Sequence, residues 1–312
     1  MNLLSSRRLF MARSLALGTS VVGGAFLNAG CTQDSQSGSS AARTTPSSSD
    51  SGVNPKIVAL IGNQTVQREQ VLEWEARRLQ VVAQRMKSNL PAATLLDLSA
   101  LLLRPGASID NIAQERELLA QAKIKAGDEA MRALVRNDLL LSDLASSLAA
   151  APNQFSGSVA ELHCDMGTAE GFVQWFNTQT MQDNQLALLR ACPDHYLIRK
   201  AGDVGQEVIE ETGGALVVSH FEIDYSQEGT LPYSLDPEYP VRLKGPAKNI
   251  NGKQIGGVLH QFANAPTGFK CKLTVFFPST LPFWYVTEHR WHLACEFSNW
   301  ITAYLNDSNQ VA

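Results

Sequence analysis

Residues 284–305 read WYVTEHRWHLACEFSNWITAYL and predict a long amphipathic helix. At about 100° per residue, the apolar side chains fall on one face, which we expect to lie on a sheet: Val286, Leu293, Phe297, Trp300 and Tyr304. His289 and Glu296 lie inside the same face, so two polar groups point inward. Burying either group without a partner costs on the order of a few kcal/mol. They therefore either pair with each other and the sheet, or line a cavity between sheet and helix.

The same helix offers a metal site as an alternative. His289, His292 and Glu296 stand at i, i+3 and i+7, and imidazole and carboxylate groups are common ligands of zinc and related ions. His292 lies at the boundary of the apolar face, where a solvated side chain also fits the pattern. We expect a polar cluster without metal or other cofactor, and we keep the three-ligand site as its alternative.

Period-two patterns before this helix predict an antiparallel sheet. One strand is followed by a helix over residues 169–191, and six further strands come after it. The predicted strands cover residues 159–166, 195–199, 206–212, 215–225, 239–248, 253–263 and 269–277. His260 shares a strand face with Val258 and Phe262, so its side chain should point inward.

This order of elements resembles the helix-grip fold of START-like domains, polyketide cyclases and plant allergen-type ligand carriers. The resemblance covers roughly residues 155–305 and is one of topology. It implies a seven-stranded antiparallel sheet that closes on a long C-terminal helix around a ligand cavity. The rival is a cone-shaped α+β domain of the nuclear-transport-factor type, which places its helices first and has no long closing helix.

The preceding segment, residues 55–150, predicts a separate helical domain. Its only aromatic residue is Trp74, whereas residues 151–312 contain twenty, which sets a boundary near Ala150. Apolar residues recur at helical spacing over 67–87, 95–103, 109–124 and 129–148, and only residues 56–61 read as strand. The predicted fold class is α+β: an N-terminal all-α helical bundle followed by a helix-grip domain over residues 155–308.

Residues 1–30 predict a secretory signal peptide. A basic, acid-free start with Arg7 and Arg8 precedes an apolar, Gly-containing run that is too short to span a membrane stably. Residues 6–11 read SRRLFM, which resembles the twin-arginine export motif, although Met11 and Ala12 replace its usual leucine and lysine. An ordinary secretory signal with two adjacent arginines is the alternative.

Residues 27–31 read LNAGC and resemble a bacterial lipobox, in which Cys31 becomes the lipidated N-terminus. Asn28 stands where leucine is usual, and the alternative is cleavage earlier, for example after Ala25. Residues 32–54 are rich in Ser and Thr and cannot form a core, so residues 31–54 read as a tether. The sequence therefore predicts an exported protein, in the periplasm or at the cell surface, whose membrane contact is an N-terminal lipid anchor.

Composition narrows the function without naming a reaction. The chain has 26 basic and 30 acidic residues, a net charge of −4, so binding to nucleic acid is not expected. The sequence contains no GxSxG, GxxxxGK[ST], GxGxxG or HExxH pattern, which removes the corresponding hydrolase, nucleotide-binding and metalloprotease classes.

Three functions remain open. The leading hypothesis is a lipid-anchored cell-envelope protein that binds a small or medium apolar molecule, with polar contacts from His289, Glu296 and His260 and an apolar wall from Trp175 and Trp300. The second is an enzyme in the same cavity, a cyclase, isomerase or hydrolase with a histidine general base. The third is a non-catalytic protein whose helical domain binds an envelope partner.

Overall fold

An antiparallel sheet with nine strands organises the part of the chain that the structure describes, with helices packed against it. The computed structural model describes residues 54–92, Leu95, Leu98, 108–212, 217–227 and 231–310. In these residues the strand order is β2-β1-β3-β9-β8-β7-β6-β5-β4. The strands are β1 Ile57–Ile61, β2 Gln64–Gln67, β3 Phe155–Cys164, β4 His195–Ala201, β5 Gly205–Glu211, β6 Val218–Asp224, β7 Val241–Lys248, β8 Gln254–Asn264 and β9 Phe269–Pro278.

Seven helices occur in the described residues: α1 Arg68–Asn89, α2 Ile112–Ala126, α3 Asp128–Leu134, α4 Arg136–Ala149, α5 Ala169–Met181, α6 Gln185–Leu189 and α7 Phe283–Gln310. The longest, α7, packs on β3 and on helices α1 and α5. Among these helices, none combines the length and apolarity needed to cross a bilayer. Residues 1–53, which include Arg7, Arg8 and Cys31, lie outside the described part of the chain.

The predicted fold class is wrong. No separate N-terminal bundle is seen in the described residues, and the sheet has nine strands instead of seven. The additional strands, β1 and β2, form a hairpin, and β1 pairs antiparallel with β3. Gly62 takes a left-handed conformation with φ of 63° in the turn of this hairpin, which glycine adopts without steric cost. β1 covers an edge of β3 that would otherwise present unpaired backbone groups.

The two faces of β5 have different surroundings, because side chains alternate along a strand. Gln206, Val208 and Glu210 line a cavity. On the other face, Ile209 packs in a hydrophobic cluster with residues of α1 and α2. Glu211 on that face forms an ion pair with a residue of α1. Residues of α1 and α2 thus cover this face of β5, and the cavity lies on its other face.

Glu207, also on the helix-covered face of β5, should make folding stability depend on pH. Its carboxylate accepts hydrogen bonds from His220 and Arg132, and these contacts lower its pKa from 4.5 to about 2. A depressed pKa stabilises the folded state fully above pH 4.5, and the stabilisation is lost as pH falls toward 2. Glu207→Gln should therefore cost about 1–2 kcal/mol at neutral pH, after allowance for solvent screening.

Urea unfolding of both proteins between pH 7 and pH 3 measures this effect. The difference in unfolding free energy should shrink as pH falls, because protonated Glu207 resembles glutamine. Glu222→Gln is the matched control, since Glu222 is the exposed residue opposite Glu207 on β6. A Glu207→Gln effect that stays constant over this range would contradict the assignment.

Candidate functional site

A cavity of about 120 Å³ lies between the sheet and helix α7. Strands β5, β6, β8 and β9 supply most of its wall, and α7 closes it. The lining is mainly apolar and includes Phe176, Val208, Ile223, Val258, Val275 and Phe297. This enclosure is suited to a small molecule, because burial in an apolar cavity removes most of a ligand's surface from water.

Four of the five predicted ligand-binding residues line this cavity: His260, His289, Glu296 and Trp300. The fifth, Trp175, is not among the lining residues. It lies in the hydrophobic core beside Phe172, and its Nε1 donates a hydrogen bond to Asp307. The pattern of aromatic residues on α5 indicated burial, but it did not distinguish core from cavity wall.

Several polar atoms in the cavity wall have no hydrogen-bond partner in the described residues. They are both ring nitrogens of His289, Nδ1 of His260 and Nε1 of Trp300. His289 is only 2% exposed, and its ring stacks on His292 and meets the edge of Phe277. Since buried polar groups are nearly always hydrogen-bonded, these are the atoms of the wall that are free to hydrogen-bond with water or with a ligand in the cavity.

A second feature, which we call the tetrad, consists of His195, Glu210, His292 and Glu296. His195 and Glu210 are direct neighbours across the β4–β5 pair. His292 and Glu296 are one turn apart on α7, which faces these strands. All four side chains are at least nine-tenths buried. A cross-strand pair and an i, i+4 helical pair thus direct four polar groups to one point.

The tetrad atoms lie close together. The Nε2 atoms of His195 and His292 are 3.2 Å apart. Oε2 of Glu296 lies 3.2 Å from Nε2 of His195 and 3.6 Å from that of His292. Oε2 of Glu210 lies 3.5 Å from each of these nitrogens. His195, Glu210 and Glu296 also line the cavity, so the tetrad forms part of its wall.

A surrounding layer of residues fixes the tetrad in place. Asp194, which is fully buried, lies 3.8 Å from Nδ1 of His292. Nε of Arg78 donates to Asp194 at 2.8 Å. The buried ammonium group of Lys123 donates to the backbone carbonyls of Pro193 and His195. The chain segment that carries Asp194 and His195 is therefore held from two helices, α1 and α2.

Burial and charge shift the pKa values in this region in opposite directions. Burial alone would lower the pKa of His292, but the carboxylates of Glu210, Asp194 and Glu296 outweigh it and raise this pKa well above its usual value. Burial would raise the pKa of Glu296, yet hydrogen bonds from His195 and His292 hold it well below 4.5. Burial lowers the pKa of His260 to about 4.

The fourth histidine near the cavity, His289, differs from those of the tetrad. Burial and the neighbouring His292 lower its pKa well below the usual value. His289 is therefore neutral at physiological pH, and its ring offers one donor and one acceptor to a molecule in the cavity.

The predicted three-ligand metal alternative matches the structure only in part. His292 and Glu296 converge, whereas His289 contributes no ring nitrogen to the tetrad. Sequence reasoning missed His195 and Glu210, and the only local signal was their position on two consecutive strands. A third group, Cys192, His195 and His292, also brings ligand atoms within 4.8 Å of one another. The sulfur of Cys192 lies 3.7 Å from Nδ1 of His292. This nitrogen is on the opposite edge of the ring from Nε2, the atom that faces the rest of the tetrad.

No protein-family model and no curated protein matches this chain.

Proposed function

We propose that this protein binds a small molecule in the cavity between the sheet and helix α7. The observation that carries the proposal is His289, a buried histidine whose two ring nitrogens have no partner in the described residues. In an apolar wall, such a group favours a ligand that is apolar over most of its surface and carries a hydrogen-bonding group.

The sequence predicts a small or medium apolar ligand, and the volume of the cavity favours a small one. An apolar cavity of roughly 150 Å³ can hold benzene, and this cavity measures about 120 Å³. A molecule with a single ring, or smaller, is therefore the best match, and larger apolar molecules would need the wall to move. The signal peptide and Cys31 predicted from residues 1–31 support an export route and a lipid anchor for this binding protein at the cell envelope.

Phenol and benzene test the proposed polar contact. We expect the full-length protein to bind phenol about fivefold more tightly than benzene, because one buried hydrogen bond contributes about 1 kcal/mol net. His289→Phe should remove this preference while keeping the wall apolar. Isothermal titration calorimetry measures both affinities, and native mass spectrometry of the purified protein would identify a molecule that copurifies.

The matched control is His163→Phe, because His163 is exposed on β3 and faces away from the core. Its phenol and benzene affinities should equal those of the unmodified protein. If phenol does not bind and no small molecule copurifies, the proposed function is wrong. If phenol binds but His289→Phe keeps the preference, the cavity binds ligands and the role given to His289 is wrong.

A further inference from the structure

We propose that the tetrad binds one divalent transition-metal ion of the zinc type, through Nε2 of His195 and His292 and Oε2 of Glu210 and Glu296. This site goes beyond small-molecule binding and differs from the ligand set expected from helix α7 alone. It uses two residues from neighbouring strands and two from one turn of the helix. The four atoms converge from opposite sides of the space between sheet and helix.

The spacing of the four atoms matches tetrahedral coordination. Metal–ligand bonds of about 2.0–2.1 Å place tetrahedral ligands about 3.3 Å apart, whereas adjacent ligands in an octahedron at the same bond length are about 2.9 Å apart. The five separations given above range from 3.2 to 3.6 Å. Two imidazoles and two carboxylates are also a donor set suited to zinc and its neighbours in the first transition row.

Charge balance favours a dication at this point. Arg78 pairs with both Asp194 and Glu211, so those two carboxylates have a cationic partner. Within the described residues, Glu210 and Glu296 form ion pairs only with histidines. A bound metal ion requires neutral histidines, so in the bound state the four ligands bring two negative charges into a buried site. Buried charges are costly unless they are paired or bind a metal, and a single dication compensates both.

Hydrogen bonding alone satisfies this cluster poorly. Nε2 of His195 has three potential partners within 3.5 Å, but it carries at most one proton. The other ring edge of His292 faces the carboxylate of Asp194 at 3.8 Å. A carboxylate behind a histidine ligand is the usual arrangement for orienting the ring toward a metal. Here Arg78 positions that carboxylate in turn.

The alternative group with Cys192 is less favourable. Its sulfur lies beside Nδ1 of His292, and one imidazole cannot bind the same ion through both ring nitrogens. A site at Cys192 would also leave Glu210 and Glu296 without a cation. The tetrad and the Cys192 group therefore predict different effects of substitution.

Zinc binding to the full-length protein tests the proposal. After treatment with a chelator, titration with ZnCl₂ should show one strong site per chain. Glu210→Gln with Glu296→Gln keeps the side-chain shapes and should weaken zinc binding more than about 100-fold, since even substitutions behind the ligands cost 10–100-fold. Cobalt(II) bound in place of zinc should give the intense visible absorption of tetrahedral coordination.

Two control variants should retain zinc affinity within about threefold: His163→Gln, at an exposed position on β3, and Cys192→Ser. Loss of binding in Cys192→Ser, with retention in the double glutamine variant, would overturn the tetrad in favour of the cysteine group. Absence of a stoichiometric site in the unmodified protein would overturn the proposal outright. Should the double variant fail to fold, the unmodified protein decides: zinc must raise its Tm, and no rise rejects the site.

Discussion

Arg78→Met should destabilise the protein by about 3–5 kcal/mol. Nε of Arg78 donates to the fully buried Asp194, and Nη2 donates to Glu211. Methionine keeps much of the apolar stem but removes the only arginine or lysine that forms an ion pair with Asp194 among the described residues. Loss of one partner from a buried ion pair leaves an uncompensated charge, and this usually costs several kcal/mol. Calorimetry should show a Tm lower by about 10 °C.

Two further variants separate charge from packing. Arg77→Met makes the same chemical change at an exposed neighbouring position on α1 and should alter stability by less than about 0.5 kcal/mol. Asp194→Asn combined with Arg78→Met removes both charges and should recover part of the loss. If Arg78→Met costs no more than Arg77→Met, the ion pair does not support the segment that carries Asp194 and His195.

The last helix and the strands before it could largely be predicted from the sequence. The strand predicted over residues 269–277 is observed as Phe269–Pro278, and the helix predicted over residues 284–305 is observed as Phe283–Gln310. Residues 269–273 of β9 alternate between buried and partly buried positions, and apolar residues recur at helical spacing along α7, so the period of the apolar residues predicts both segments.

The nine-stranded sheet could not be inferred in the same way. β2 has four residues, and only Val66 is buried, so it shows no useful alternation. The pairing of β1 with β3 joins residues about 100 positions apart, and a single sequence does not reveal such a contact. The N-terminal helices were expected to pack on one another, but their apolar faces also cover β4, β5 and β6.

The candidate site shows the same division between local and long-range information. His289 and Glu296 were found because helical spacing places them inside an apolar face. His195 and Glu210 become neighbours only through the register of β4 and β5, which includes an irregularity just after His195. His289 was expected to line a cavity or to pair with Glu296, with a metal site shared with His292 and Glu296 as the alternative; it lines the cavity, and its ring stacks on that of His292. The direction of a ring nitrogen depends on packing that helical spacing does not encode.

Phe172→Ala should be the most destabilising change to the apolar core, at about 3–5 kcal/mol. Phe172 on α5 is fully buried. Its ring lies within 5.4–6.4 Å, centroid to centroid, of the aromatic rings of Trp175, Phe176, Phe262, Phe269, Phe297 and Tyr304. Truncation removes contacts to α5, α7, β8 and β9 at once, so the cavity left behind cannot be closed by the movement of one element.

Urea unfolding at neutral pH measures this cost. Phe283→Ala is the matched control, because Phe283 is 75% exposed and its truncation should cost no more than about 0.5 kcal/mol. Phe172→Leu should fall between the two, since leucine refills part of the volume. Equal costs at positions 172 and 283 would contradict the assignment of this core. Phe297 lines the cavity and packs on both Phe172 and His260. Phe172→Ala should therefore also weaken phenol binding, because the same ring that packs in the core shapes the wall of the site.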